Sequence, residues 1–175
     1  TSTCSFNITI VAFSISLASP TYVGGYNIKC NGQSNGSINL TTANTQGSVS
    51  YSWAPGGATT QNISGKPAGS YTVTVTNGSC VKTASITLTQ PAVLTVSTIT
   101  TNISCNGASN GRDSAVVAGG VSPYTYQWNN FATTQVITGL APNTYAVTVK
   151  DANLCSASNT SVPITQPAVL NATAA

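Results

Sequence analysis

The chain has no histidine, no glutamate and no methionine, and its only acids are Asp113 and Asp151. Each absence removes a class of chemistry. Without histidine there is no Ser-His-Asp or Cys-His relay to activate a nucleophile. Two acids at positions that do not correspond to one another argue against a carboxylate pair working as acid and base. Zinc has no histidine and no CxxC pair to bind. Calcium needs several oxygen ligands, carboxylates among them. Asp151 in "KDANLC" offers one, but the matching stretch "TNGSC" offers none. The glycines lie in turn-like clusters with no helix pattern behind them, so no phosphate loop is present. The sequence therefore reads as a protein that is not an enzyme and carries no cofactor and no metal.

Charge is as sparse as acidity. Charged residues make up 4% of the chain, against about 25% in ordinary soluble domains. Lys29, Lys66, Lys82, Arg112 and Lys150 are scattered singly, for a net charge of +3. That leaves no basic footprint for nucleic acid and no polybasic patch for a membrane surface. No apolar run reaches the roughly 18 residues of a membrane span; the longest, Ile8–Ala18, is broken by Thr9, Ser14 and Ser16. Hydroxyls and amides, or attached sugars, must carry solubility. So weakly charged a surface repels its own copies little, which suits a fibre or coat. No signal peptide and no initiator methionine are visible, as in a processed mature protein or a piece of a longer one.

What is present is a repeat. Slid on itself by about 75 residues, the chain matches in order. "NIKCNGQSNGS" at Asn27–Ser37 meets "NISCNGASNGR" at Asn102–Arg112, and "YSW" at Tyr51–Trp53 meets "YQW" at Tyr126–Trp128. "ATTQNISG" meets "ATTQVITG", "YTVTV" at Tyr71–Val75 meets "YAVTV" at Tyr145–Val149, and Cys80 meets Cys155. "TQPAVL" occurs at Thr89–Leu94 and again at Thr165–Leu170. It predicts a seam, where one module's last strand ends at a proline and the next begins; so short a join predicts a semi-rigid rod.

Every unit reads as β. Tyr71, Val73 and Val75 alternate with Thr72, Thr74 and Thr76, the pattern of a strand with one buried face. "SITLT" puts Ile86 and Leu88 inside; its counterpart puts Val162 and Ile164 inside, with Pro163 marking an edge strand. Turn signals ("CNG", "SNG", "PGG", "AGG", "TNGS") separate the strands. Six or seven short strands per unit predict tandem immunoglobulin-like β-sandwich modules. The expected divisions are an N-terminal strand or arm over residues 1–20, one module over 21–94 and another over 95–175. Tyr71 and Tyr145 each follow a proline-containing loop and open an alternating strand. Each is either a tyrosine corner or a plain inward aromatic. Trp53 and Trp128 are either core residues or exposed platforms on which sugar rings stack, with Tyr51 and Tyr124 nearby.

Cys30 and Cys80 are 50 residues apart, and so are Cys105 and Cys155. Equal spacing predicts one disulfide per module, persisting only outside the reducing cytosol. Cys4 is left over as an intermolecular or unpaired thiol. It stands where a preceding module's second cysteine would. After it, Ile8 and Ile10 fall on one phase and Val11, Phe13, Ile15 and Leu17 on the other. This stretch is either a slice of a longer array or a strand that inserts into a neighbouring subunit, the way pilus-like fibres are built.

The ordered set "CNGxSNG", "YxW", "ATTQxIxG", "YxVTV", Cys and "TQPAVL", spanning residues 21–170, resembles the SprB-type repeat of gliding Bacteroidetes adhesins. The resemblance implies very large extracellular proteins at the bacterial cell surface, exported by the type IX route, built from immunoglobulin-like repeats and without enzymatic activity. Residues 1–20 and "GRDSAVV" depart from the pattern. Asn35, Asn62, Asn77 and Asn102 start N-x-S/T triplets. "DSA" at Asp113–Ala115 has the form of the Bacteroidetes O-glycosylation triplet, with Ser114 as its acceptor. The functional expectation is a structural building block of a surface fibre or repeat adhesin, joining copies end to end. The alternative is a module that adheres to polysaccharide or to another cell.

Overall fold

In the computed structural model, residues 12–172 are described. They contain strands and turns but no helix. The strands fall into two compact units. One holds the described residues up to Thr21 together with Gly32–Thr89; the other holds Tyr22–Asn31 and the chain from Gln90 onward.

The first unit contains β1 (Ser14–Ala18), β2 (Gly36–Ala43), β3 (Val49–Ala54), β4 (Ile63–Lys66), β5 (Gly69–Asn77) and β6 (Cys80–Leu88). Its sheets run β1-β2-β4 and β3-β5-β6. The second unit repeats the plan with β7 (Thr95–Thr101), β8 (Gly111–Ala118), β9 (Thr125–Trp128), β10 (Val136–Leu140), β11 (Ala146–Lys150) and β12 (Ser156–Thr160). Its sheets run β7-β8-β10 and β9-β11-β12. All pairings are antiparallel. First, second and fourth strands in one sheet, third, fifth and sixth in the other, is the immunoglobulin A-B-E and C-F-G arrangement without strand D.

The repeated motifs are the joints of this fold. Trp53 and Trp128 stand on the third strand of each unit and are 1% exposed. Each indole N–H is satisfied by the carbonyl of the second threonine in "ATTQ": Thr60 at 2.9 Å and Thr134 at 2.8 Å. The glutamine of the same motif reaches the second strand, Gln61 to Leu40 O at 2.8 Å and Gln135 to Ala115 O at 3.1 Å. The Tyr71 hydroxyl donates to Pro67 O at 3.0 Å, and that of Tyr145 to Ala141 O at 3.2 Å. Both are tyrosine corners, tying the loop to the start of the fifth strand. Burial pushes the Tyr71 phenol above its ordinary pKa. Tyr71, Val73 and Val75 are buried in one unit, Tyr145, Val147 and Val149 in the other. Each such side chain stabilises by about 1.5–3 kcal/mol.

Two sequence expectations are corrected here. The stretch expected to exchange into a neighbour is used within its own unit: β1 pairs with β2 from Ser14↔Ala43 to Ala18↔Asn39. Phe13 is buried, and Ile15 and Leu17 turn half-buried faces the same way. β1 pairs on one side only and forms an edge of its sheet. Ile8, Ile10 and Val11 lie outside the described residues. The second correction concerns Val162, which is 69% exposed while Ile164 is buried. The edge strand β12 stops at Thr160. Ser161 then exchanges hydrogen bonds with Tyr145, and with the strand already ended the alternation does not continue through Val162.

Candidate functional site: the cysteine seam

The structure pairs the cysteines differently from the equal spacing. Cys30 is bonded to Cys155, 125 residues away, with Cα atoms 5.7 Å apart. Cys80 and Cys105 are exposed free thiols. The bond expected within each module is therefore absent from both, and Cys4 lies outside the described residues. The physical reason is where Cys30 sits. By sequence it opens the first repeat, but Tyr22–Asn31 folds with the second unit.

That placement is built by named contacts. A tight turn, with Tyr22 N–H to Tyr26 O at 2.8 Å and Gly25 N–H to Tyr22 O at 3.0 Å, brings the segment over the turn between β11 and β12. There Asn153 Nδ2 donates to Val23 O at 3.1 Å. Asn31, the asparagine of "CNG", donates to Pro91 O of the first "TQPAVL" at 2.9 Å. Asn106 makes the same bond to Pro167 O at 2.9 Å. "CNG" and "TQPAVL" thus recur together because one clamps the other.

The clamped "PAVL" segment lies against the loop after β8. Gly120 N–H donates to Ala92 O at 3.0 Å. A Cβ on Gly119, whose φ is +69°, would stand 1.8 Å from Val93 O, so only glycine admits this approach. The turn that presents Cys155 is organised by Asp151, which is 3% exposed. Its carboxylate accepts backbone N–H bonds from Val121 at 3.0 Å and from Asn153 and Cys155 at 2.9 Å each. Asn77 holds the corresponding place in the first unit, buried, with its Oδ1 accepting from Gln46 N–H at 3.2 Å. That burial removes Asn77 from the candidate glycosylation sites. Asn62 and Asn102 are exposed, and Asn35 and Ser114 are half-buried.

One buried group was missed by sequence reasoning in its structural role. Asp113 is fully buried where the first unit has Ile38. Its Oδ1 accepts from Ser114 N–H at 3.0 Å and Thr100 Oγ1 at 3.4 Å, while Oδ2 has no partner. Phe131, 86% exposed at a φ of +67°, is the one strongly exposed aromatic ring among the described residues.

Residues 26–58 and 97–133 both match the SprB repeat, each match running from the clamp segment past the core tryptophan. Two tandem stretches of the chain thus match the SprB repeat. No curated protein matches it. Among solved structures it is similar to a C-terminal 282-residue fragment of intimin in complex with the translocated intimin receptor's intimin-binding domain, at 14% identity and a TM-score of 0.43, over 88% of this chain and 64% of that one. A Dscam structure is similar at 14% identity and a TM-score of 0.38, over 90% of this chain and 47% of that one. The chain spans less than two thirds of either. In SprB-repeat terms, the seam joins the first cysteine of one repeat to the second cysteine of the next.

Proposed function

We propose that these SprB repeats are a non-enzymatic structural building block of an extracellular bacterial surface fibre or repeat adhesin, assembled end to end. One observation carries the reading: the disulfide runs from repeat to repeat, not within a repeat. A bond inside a module stabilises that module. A bond from each repeat to the following one instead joins a string of repeats covalently, so that tension passes through sulfur. The bond also favours an oxidising location such as the cell surface, and the sparse charge lowers repulsion between neighbours.

The adhesion alternative keeps only half of its aromatic platform: Trp53 and Trp128 are buried, with their N–H groups spent on Thr60 and Thr134, while Tyr51 and Tyr124 are half-buried. Electron microscopy of native material tests the proposal. Fibres whose density follows SprB modules in tandem are expected. Native material that remains monomeric, or a glycan array that binds the isolated chain specifically, would count against it.

A further inference from the structure

Phe131 is an exposed ring on a strained backbone. It closes the turn after β9, where its N–H donates to Trp128 O at 3.0 Å and Trp128 N–H donates to Ala132 O at 2.9 Å. Gly57 closes the matching turn of the first unit, its N–H on Trp53 O at 2.8 Å. Both residues are left-handed, Gly57 at a φ of +62° and Phe131 at +67°. Glycine takes that conformation freely, and a bulky side chain does not. The ring gains no burial in exchange, since it is 86% exposed. A single exposed apolar residue is ordinary. A strained one, at a position where the other repeat has glycine, points to a contact made outside the chain.

The second unit also differs from the first across a patch of β9 and β11. There Thr125, Gln127, Thr148 and Lys150 line a hollow of about 430 Å³. Thr125 lies opposite Lys150, and Gln127 opposite Thr148. At the matching positions of the first unit, Ser50 lies opposite Thr76 and Ser52 opposite Thr74. A cation and a long amide thus stand where the first unit has short hydroxyls. The Lys150 stem and the threonine methyls give the hollow apolar walls, and the ammonium is a partner for the face of an aromatic ring. The only acids, Asp113 and Asp151, are both buried, so no side-chain carboxylate at the surface competes for that ammonium.

We propose that Phe131 of one copy of this chain seats in the Thr125–Lys150 hollow of a second copy, with the ring against the Lys150 ammonium. Ring and hollow are both carried by the second unit, and the residues that make them are both replaced in the first. The inference rests on the fibre reading above and names a contact between copies. Ring and hollow are different surfaces, so a copy that inserts its ring still presents its hollow to a third, and the contact repeats without closing. One such contact is small and weak. Copies already aligned in a fibre make it many times over, and there it gains strength.

The test is sedimentation of the full chain from micromolar to millimolar concentration, with Cys4, Cys80 and Cys105 replaced by serine so that no thiol cross-link contributes. This parent should form oligomers longer than dimers as concentration rises. Phe131→Gly, which installs the first unit's residue and relieves the strain, should keep or raise the Tm while weakening association by about tenfold or more. Lys150→Thr should weaken association severalfold. Thr148→Arg, which fills the hollow, should abolish it. Phe131→Gly mixed with Thr148→Arg leaves one intact ring and one intact hollow, and should give a dimer and nothing longer. A parent that stays monomeric or stops at a dimer, a Phe131→Gly chain that assembles as well as the parent, or Phe131-dependent binding of a monomeric chain to a glycan array would overturn the proposal. Native fibres unchanged by Phe131→Gly would sink this contact and spare the fibre reading. Native material without fibres, from a chain that oligomerises as expected in solution, would do the reverse.

Discussion

Replacing both Cys30 and Cys155 by serine should change how this protein answers to heat and to force. The bond closes a loop of 125 residues. In the chain-entropy model that is worth about 5 kcal/mol, or nearer 4 if the first unit stays folded inside the loop and shortens it. Removing a native disulfide from a small secreted domain typically costs about 2–5 kcal/mol. Even about 2 kcal/mol should lower the Tm of the second unit by roughly 8–16 °C, for a unit under about 100 residues. Force gives the sharper reading. Pulled by handles at its two ends, the oxidised chain carries tension across sulfur, and everything between Cys30 and Cys155 is spared extension. At about 3.3–3.6 Å per residue, the double serine variant or the reduced protein should release roughly 410–450 Å of extra contour. Optical-tweezer traces with and without reductant measure it directly. Equal contour length in both conditions, with an unchanged Tm, would refute the assigned pairing. An intermediate gain of roughly 330–360 Å, the contour of two 50-residue loops, would instead point to pairing within modules.

Three further substitutions probe the seam and the core. Gly119→Ala should cost about 2 kcal/mol or more, since it adds strain at positive φ and a clash with Val93 O; Gly25→Ala, with open space around it, should cost clearly less in the same thermal melt. Asp113→Val should raise stability by about 1–3 kcal/mol by removing a buried oxygen that has no partner; a lowered Tm would mean the carboxyl holds the strand in a way its two hydrogen bonds do not convey. Tyr71→Phe should cost about 1 kcal/mol at neutral pH through loss of the bond to Pro67 O. Because the folded phenol ionises above its ordinary pKa of 10.0, the wild-type fold loses stability as pH rises past that value, where the unfolded chain ionises first. Denaturant melts across that range should show a shallower decline for the phenylalanine variant.

Much of the fold was legible because each repeated motif has a local job. Alternation in "YTVTV" gives the strand, and a tyrosine after a proline loop gives the corner. A tryptophan followed by "ATTQ" gives a core ring with a carbonyl supplied for its N–H. The role of β1 was less legible. In the second unit the first strand ends at Thr101, a few residues before Cys105, whereas in the first unit eleven residues lie between Ala18 and Cys30. That longer connection contains the Tyr22–Gly25 turn, and it made a strand in its ordinary place look like a free arm. Asp113 was unreadable for a different reason. Nothing in "GRDSAVV" says that a carboxyl occupies the inward position that Ile38 fills in the other repeat.

The cysteine pairing shows why a repeat conceals its own connectivity. In an array of fixed period, each spacing is defined only up to whole periods. The first and second cysteines are 50 apart within each repeat, and the observed separation of 125 is that spacing plus one period of 75. Both pairings use equivalent residues and leave the cysteine pattern unchanged, so spacing cannot choose between them. What chooses is which unit the first cysteine folds with. The Asn31 clamp on Pro91, the glycine pair beneath "PAVL" and the Asp151-capped turn carry Cys30 to the second unit. Of these contacts, the one between the glycine pair and "PAVL" crosses from one repeat's sequence to the other. The disulfide therefore ties a cysteine that opens the first sequence repeat into the second unit, where both of its sulfurs lie.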